Sequence, residues 1–404
     1  MSGAPLRFCF VLSSAYPGVS SAYFEYTQSL AKAGHSVHVV AAHLATEGDR
    51  VICRHEGSVQ VTSLPIKTFR KAGLSATFFA WRARRVVSTL DRENAFDVVQ
   101  VKSFPNLGLM VGPLLRRSTG SNFLDIRSPA IGNSFVNQLS TRIVRWQRTR
   151  FDHTFVISAP LRARLFNDGR DDVTLLPLGV NFDRFRRLTS RASLRKKAGY
   201  GPDDIVFVYT GSLHPRRTPG VMLVAFEQVT KAHPVARLLL VGDGAAVADL
   251  RRDAVRMGIA DRVRLTGPVP YERMNEWLSL SDVGLAYIPV NSTFDAQPPL
   301  KTLEFLACAL PVVATRTAGN ALFVNEQLGK MVDDDAGDLA NAMLQLCRDK
   351  VFRESASLAA RGAIAAHSYD QIVDNDLIGT IRALRSESPT NAGDGESGTD
   401  ERLT

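Results

Sequence analysis

Two successive sets of short apolar runs, separated by amphipathic helical patterns, restrict what this sequence can fold into. The first set is RFCFVLSS, SVHVVAA, VQVTSL, DVVQVKS, NFLDIRS and HTFVIS. The second is IVFVYTG, ARLLLVGDG, RVRLTG, DVGLAYI and PVVAT. Apolar runs joined through helices predict a parallel sheet wound by right-handed crossovers, so each set predicts one doubly wound α/β domain. With 404 residues, 45% of them hydrophobic, the chain is long enough for two such cores. The junction is expected near Leu178 to Arg187, where PLGVNFDRF places Pro, Gly and Asn between the two patterns. That gives domains over 1–180 and 181–366, with helices at about Ala336 to Arg348 and Val351 to Ala366. A further amphipathic helix is expected over Tyr369 to Leu384, within a segment 367–385. The last stretch, 386–404, is polar, acidic and rich in Gly and Ser, and is expected to be disordered.

The stretch PPLKTLEFLACALPVVAT, Pro298 to Thr315, combines a helix with residues suited to an anionic ligand. Two prolines precede the helical pattern, Leu300, Leu303, Leu306, Ala307 and Leu310 fall at helix spacing, and Pro311 stops it. Lys301 and Glu304 are three apart and project from one side of the first turn. An opening turn carries unpaired N–H groups and the positive dipole end; Lys301 adds a donor and Glu304 accepts hydroxyl hydrogen bonds. A phosphorylated sugar or a nucleotide fits this arrangement. A surface Lys–Glu pair on an ordinary helix is the alternative.

Together with YTGSLHPRRTPGVMLVAFEQV, LLLVGDGAAVADLRRDAVRMGIADRVRLTGPVPYERM and LLPLGVNFDRF, this stretch resembles the donor domain of retaining GT-B glycosyltransferases of glycosyltransferase family 4. The resemblance runs with gaps over most of the chain and is strongest from about Leu175 to Asn320. It implies GT-B architecture, two Rossmann-like domains facing each other across a cleft, the first on the acceptor side and the second holding the donor. It also implies that the final helix crosses back onto the first domain. The implied reaction moves a hexose-type sugar from a nucleoside diphosphate sugar to an acceptor hydroxyl with retention.

The resemblance also assigns residues. In the loop through Gly211 and Ser212 the family places a basic pair for the donor diphosphate; Arg217 matches the second, Ser212 stands at the first, and Arg216 is a substitute or a solvated neighbour. The backbone near Val269 is expected to face the nucleobase, and Glu304 matches the glutamate that holds the ribose. Ala296 stands eight positions earlier, where many members carry a first glutamate, so the sugar is left to Asp295 or to N–H groups around Leu300 and Lys301. In the first domain, AYPGVSSAYFEYTQSLAKAGHSVHVV resembles the opening loop beneath the donor phosphates, with Gly18 in place and Ser20 and Ser21 where a second Gly pair is common. LDIRSP resembles the strand end that presents a basic residue with an Asp to the cleft, here Arg127 and Asp125; a salt-bridged pair at a strand end is the alternative. Arg217, Lys301, Arg127 and Asp125 are thus the expected catalytic residues.

The four cysteines include no CxxC, and the eight histidines form no HxH, HExxH or HxxxH pattern. Reduced core thiols are expected, and no metal or other cofactor. No apolar run reaches the roughly 18 to 20 residues that span a bilayer, and a cytoplasmic protein is expected. The net charge of +9 has two local sources. KTFRKAGLSATFFAWRARRVV, residues 67–87, carries six basic residues and no acidic one among aromatics, and RIVRWQRTR, residues 142–150, sets four arginines around Trp146. That pattern fits a surface resting on anionic lipid at the inner face of the cytoplasmic membrane, or a solvated face over an apolar stripe. No nucleic-acid motif accompanies the charge. A sugar or lipid-linked acceptor in cell-surface polysaccharide or glycolipid synthesis is the leading expectation. Two other classes stay open: a GT-B epimerase or hydrolase of the nucleotide-sugar, and a non-catalytic partner subunit, which Ser212 and Ala296 make conceivable.

Overall fold

The apolar runs form two separate sheets in the computed structural model, which describes residues 4–18, 21–44, 50–66, 72–103, 120–128, 134–166 and 172–387. The first sheet holds β1 Arg7–Val11, β2 Ser36–Leu44, β3 Ile52–Glu56, β4 Val59–Ile66, β5 Val98–Lys102, β6 Ser121–Ile126, β7 His153–Val156 and β8 Val173–Leu175, in the order β3-β4-β2-β1-β5-β6-β7-β8. The second holds β9 Ile205–Thr210, β10 Ala236–Val241, β11 Val263–Leu265, β12 Val283–Ala286, β13 Val312–Thr315 and β14 Gly329–Val332, in the order β11-β10-β9-β12-β13-β14. The second sheet is parallel throughout, and the first departs from parallel only in the β3–β4 hairpin. The fold is therefore α/β, two doubly wound Rossmann-like domains.

Helices α1 Ser21–Lys32, α2 Ala72–Asn94, α3 Ser134–Arg148 and α4 Ala159–Leu165 belong to the first half. Helices α5 Arg191–Lys197, α6 Gly220–Ala232, α7 Val247–Arg256, α8 Met274–Ser279, α9 Leu300–Ala307, α10 Ala336–Arg348 and α11 Lys350–Ala363 belong to the second. The chain ends in α12 Tyr369–Ile372, a π-helical stretch Val373–Ile378, and α13 Gly379–Glu387. Residues 388–404 of the expected disordered tail lie outside the described residues.

Strand alternation divides the first domain's core in two. Phe8 and Phe10 point to one face of β1, where they meet Tyr23, Tyr26 and Leu30 of α1. Cys9 and Val11 point to the other, where they meet Phe79, Ala83 and Val87 of α2. The terminal helices return to the α1 face: Tyr369, Ile372, Leu377 and Ile381 are buried in the same cluster as Phe8 and Tyr26. Burying each such side chain contributes roughly 1.5–3 kcal/mol, ample to seat a short helical run. Polar contacts register it, since Ser29 Oγ and Lys32 Nζ both donate to Asp370.

Three strands escape the apolar-run criterion. β3, sequence ICRHE, is an edge strand whose residues are half-buried or exposed, so it has no continuous apolar signal. β8 and β14 span three and four residues and sit at the far edges of their sheets.

Candidate active site

A cavity of about 860 Å³ opens between the domains at the carboxyl ends of the second sheet's strands. Its walls are the turn after β9 (Thr210, Gly211, Ser212), the end of β10 (Val241, Gly242, Asp243) and the connection after β11 (Pro268, Val269, Tyr271). The start of α9 contributes Leu300, Lys301 and Glu304, and the first domain contributes Pro17, Gly18 and Phe24. Arg217 and Phe294 also line it.

Glycine lets these loops close up. Gly242 has φ +142°, and a Cβ there would lie 1.9 Å from the Gly211 carbonyl oxygen, while its N–H donates to Gly267. At Gly18 a Cβ would fall 2.5 Å from the Ala15 carbonyl oxygen.

Helix α9 begins after Pro298 and Pro299 and has no side-chain cap at its start, so Leu300 and Lys301 reach the cavity at an uncapped helix N-terminus. The Lys301 ammonium lies 3.6 Å from the centroid of the buried Tyr209 ring, itself buried and without a hydrogen-bond partner among the described residues. Burial, and secondarily the Arg217 charge, hold its pKa well below the ordinary lysine range, against the opposing pull of Glu304. The Arg217 guanidinium sits 4.7 Å from the Phe294 ring centroid and makes no ion pair among the described residues. It is the last residue of the short 3-10 turn Pro215–Arg217, which the His214 side chain caps by accepting from the Arg216 N–H; Arg216 itself is exposed.

One turn into α9, Glu304 is buried at 6% exposure. Burial raises its carboxyl from 4.5 to about 7, against the lowering effect of a hydrogen bond from Tyr271 and the Lys301 charge; Glu25 raises it further. The pair is thus no solvated surface pair, and the geometry removes that alternative.

Eight of the expected donor-side residues, Gly18, Gly211, Ser212, Arg217, Val269, Leu300, Lys301 and Glu304, line this one cavity. Asp295 does not: its carboxylate accepts from the Ala318 N–H and its carbonyl from the Gly319 N–H, which commits it to the neighbouring loop. Ala296 is buried and its carbonyl accepts from Ser158 Oγ, an interdomain bond. Ser20 lies outside the described residues, as does the side chain of Ser21.

Asp125 and Arg127 sit at the carboxyl end of β6, away from the cavity lining. Asp125 is fully buried and accepts from the Tyr23 hydroxyl, Gln100 and Arg127 Nε. Arg127 also donates to Tyr26 and to the Leu176 carbonyl, over the Tyr26 ring. The pair is a buried salt bridge among aromatics.

Reasoning from sequence missed Glu25, Arg184 and Tyr271. Glu25 is 1% exposed, salt-bridged to Arg184 and bonded by Asn181, although it lies in the apolar-looking segment YFEYTQSL. A lone carboxylate between aromatics was the available signal. No helix among the described residues is long and apolar enough to cross a membrane.

Comparison with known proteins follows the same division of the chain. Residues 204–349 match the family model for glycosyl transferases group 1, and residues 18–179 match a glycosyl transferase 4-like domain, together more than half of the chain. A D-inositol 3-phosphate glycosyltransferase 2 of Catenulispora acidiphila is 34% identical over 244 residues, 55% of this chain and 55% of that protein. A GDP-mannose-dependent monoacylated alpha-(1-6)-phosphatidylinositol monomannoside mannosyltransferase of Corynebacterium glutamicum is 27% identical, covering 52% of this chain and 55% of its own. These matches span about half the length of either relative. The sucrose-phosphate synthase structure from Thermosynechococcus elongatus superposes with a TM-score of 0.77 at 18% identity, covering 95% of this chain and all of that one.

Proposed function

Because the chain belongs to the glycosyltransferases of GT-B fold, with a matched domain on each side of its cavity, we propose that it transfers a sugar from a nucleoside diphosphate sugar to an acceptor hydroxyl with retention. One observation carries this reading: a buried, unpartnered Lys301 ammonium beside Arg217 at the start of α9, with Glu304 one turn on.

Departure of the nucleoside diphosphate develops negative charge at the β-phosphate and oxocarbenium character at the sugar. Arg217, Lys301 and the opening amides of α9 are placed to stabilise that charge, each such preorganised donor supplying roughly 3 kcal/mol. Glu304 holds the ribose hydroxyls, and the backbone at Val269 faces the base. Positive charge at the diphosphate comes from side chains, so turnover is expected to persist in the presence of a chelator. The acceptor enters from the first domain, past the Gly18 loop, and closure of the domains excludes water.

The acceptor is a sugar or a lipid-linked sugar, in cell-surface polysaccharide or glycolipid synthesis. The names of the two relatives, one acting on a phosphorylated inositol and one on a phosphatidylinositol mannoside, support this class. So does the surface of the first domain, where α2 and α3 pack on the same side of the sheet. Their exposed ridges carry Trp81 with Arg84, Arg85 and Arg92, and Leu139 with Arg142, Arg145 and Trp146. Such ridges suit contact with anionic lipid on the cytoplasmic side of a membrane. Residues 67–71 of the basic stretch lie outside the described residues.

Incubation with labelled nucleotide-sugars, with and without acceptor extracts, tests the reading. Label appearing in an acceptor, with the donor's anomeric configuration kept, is expected. Donor consumed equally without acceptor would establish an epimerase or hydrolase instead.

A further inference from the structure

The segment that joins the domains carries a second arginine that reaches the site by another route. Asn181 turns the chain here, its side-chain oxygen accepting from the N–H groups of Asp183 and Arg184. Both residues then grip Glu25 of α1: Arg184 Nε donates to Oε1 at 3.0 Å and Asn181 Nδ2 to Oε2 at 2.8 Å. On the opposite side Arg361 of α11 donates to the carbonyls of Phe182 and Phe185 and to that of Ala307, the last residue of α9. The linker is therefore fastened to both domains within five residues of itself.

The Arg184 guanidinium does more than close this bracket. It lies 5.7 Å from the ring centroid of Phe24, on α1, and 5.2 Å from that of Tyr271, in the second domain. Both rings line the cavity from opposite domains. Phe185 packs edge-on against Tyr271 at 5.5 Å and limits where that ring can go. Tyr271 and Glu304 line the same cavity, and Tyr271 draws the Glu304 pKa down.

We infer that Arg184, held by Glu25, is a positioning residue: it fixes the Tyr271 ring, and through it the Glu304 carboxylate, so that the nucleoside end of the cavity is set only when the two domains stand in this relative placement. Glu25 is buried and both of its oxygens are engaged, so an Arg184 that leaves the Tyr271 ring strands a carboxylate, which opposes drift of the bracket. The inference rests on the proposed reading of the cavity as a nucleotide site.

The groups facing Glu304 are Lys301 on its own helix, Tyr271 from the β11–α8 connection, Glu25 from α1 and the Cys308 thiol. Loss of the Tyr271 hydroxyl removes an influence that lowers the Glu304 pKa, and loss of Arg184 removes the cation paired with Glu25. Both changes move the ionisation of Glu304 to higher pH.

The experiment measures binding of UDP, GDP and ADP by calorimetry across pH for wild type, Arg184→Ala, Arg184→Lys, Tyr271→Phe and the Arg184→Ala/Tyr271→Phe pair. For whichever nucleotide binds, Arg184→Ala and Tyr271→Phe are each expected to weaken binding roughly three- to tenfold and to raise the pH at which binding sets in. The pair should be no worse than the weaker single variant, and Arg184→Lys should recover part of the loss. Wild-type affinity and an unmoved pH profile in Arg184→Ala, or losses that simply add in the pair, overturn the inference while leaving the site reading intact. Absence of binding by wild type to all three nucleotides overturns the site reading, and the inference with it. If Arg184→Ala does not fold because Glu25 is stranded, Glu25→Gln/Arg184→Ala carries the same comparison.

Discussion

At the scale of single residues, the site sets one buried cation and one buried carboxyl a helical turn apart, and their burial gives them opposite titration behaviour. Glu304 ionises only near pH 7 and Lys301 loses its proton well before ordinary lysines do. If Glu304 holds the ribose as proposed, its ionised form is the acceptor, so nucleoside binding should strengthen as pH rises through about 7 and then level off. Diphosphate binding needs the Lys301 cation as well, so the affinity for a nucleoside diphosphate should rise and then fall with pH. Calorimetry with nucleoside and diphosphate side by side checks this; parallel curves for the two would refute it. Arg217→Ala and Glu304→Ala should each lower turnover at least about tenfold, and near-normal rates in both would remove these residues from the reaction.

At the scale of elements, the second domain was the more legible. Its strands are continuous apolar runs, and the α9 stretch announced itself by two prolines, a helical stripe and a Lys–Glu spacing. What sequence alone left open was whether Lys301 and Glu304 face water, because helical spacing fixes the side on which residues project and not what packs there. β3 was lost because an edge strand needs no apolar run, and Arg184, Glu25 and Tyr271 because the contacts of Arg184 with Glu25 and with Tyr271 join positions more than eighty residues apart, which only domain docking brings together. On the α2 and α3 ridges Trp81 and Trp146 are 41% and 47% exposed. Exposed tryptophans ringed by arginines should carry the protein onto vesicles containing anionic lipid, with binding lost in high salt. Flotation of wild type and of Trp81→Ala/Trp146→Ala tests this; no binding to anionic vesicles, or no effect of the substitutions, speaks for a merely solvated face.

At the scale of the whole molecule, the two sheets place their carboxyl-end loops against one another, and the terminal helices bind the second half of the chain back onto the first. Val180 donates to the His367 carbonyl, so the outgoing and returning crossings lie side by side. A hinge of two adjacent strands of chain suits opening and closing of the cavity, and a ligand bound across it should stabilise the closed arrangement. Thermal unfolding of the folded protein with UDP, GDP, ADP and their sugar conjugates shows whether this cavity holds a nucleoside diphosphate sugar. A ligand at about a hundred times its Kd adds roughly 2.7 kcal/mol, a rise of several degrees at most in a chain of this size. Such a rise is expected with one nucleotide family, for the diphosphate and its sugar conjugate alike, and is expected to be abolished in Lys301→Ala. No rise with any of them would contradict it.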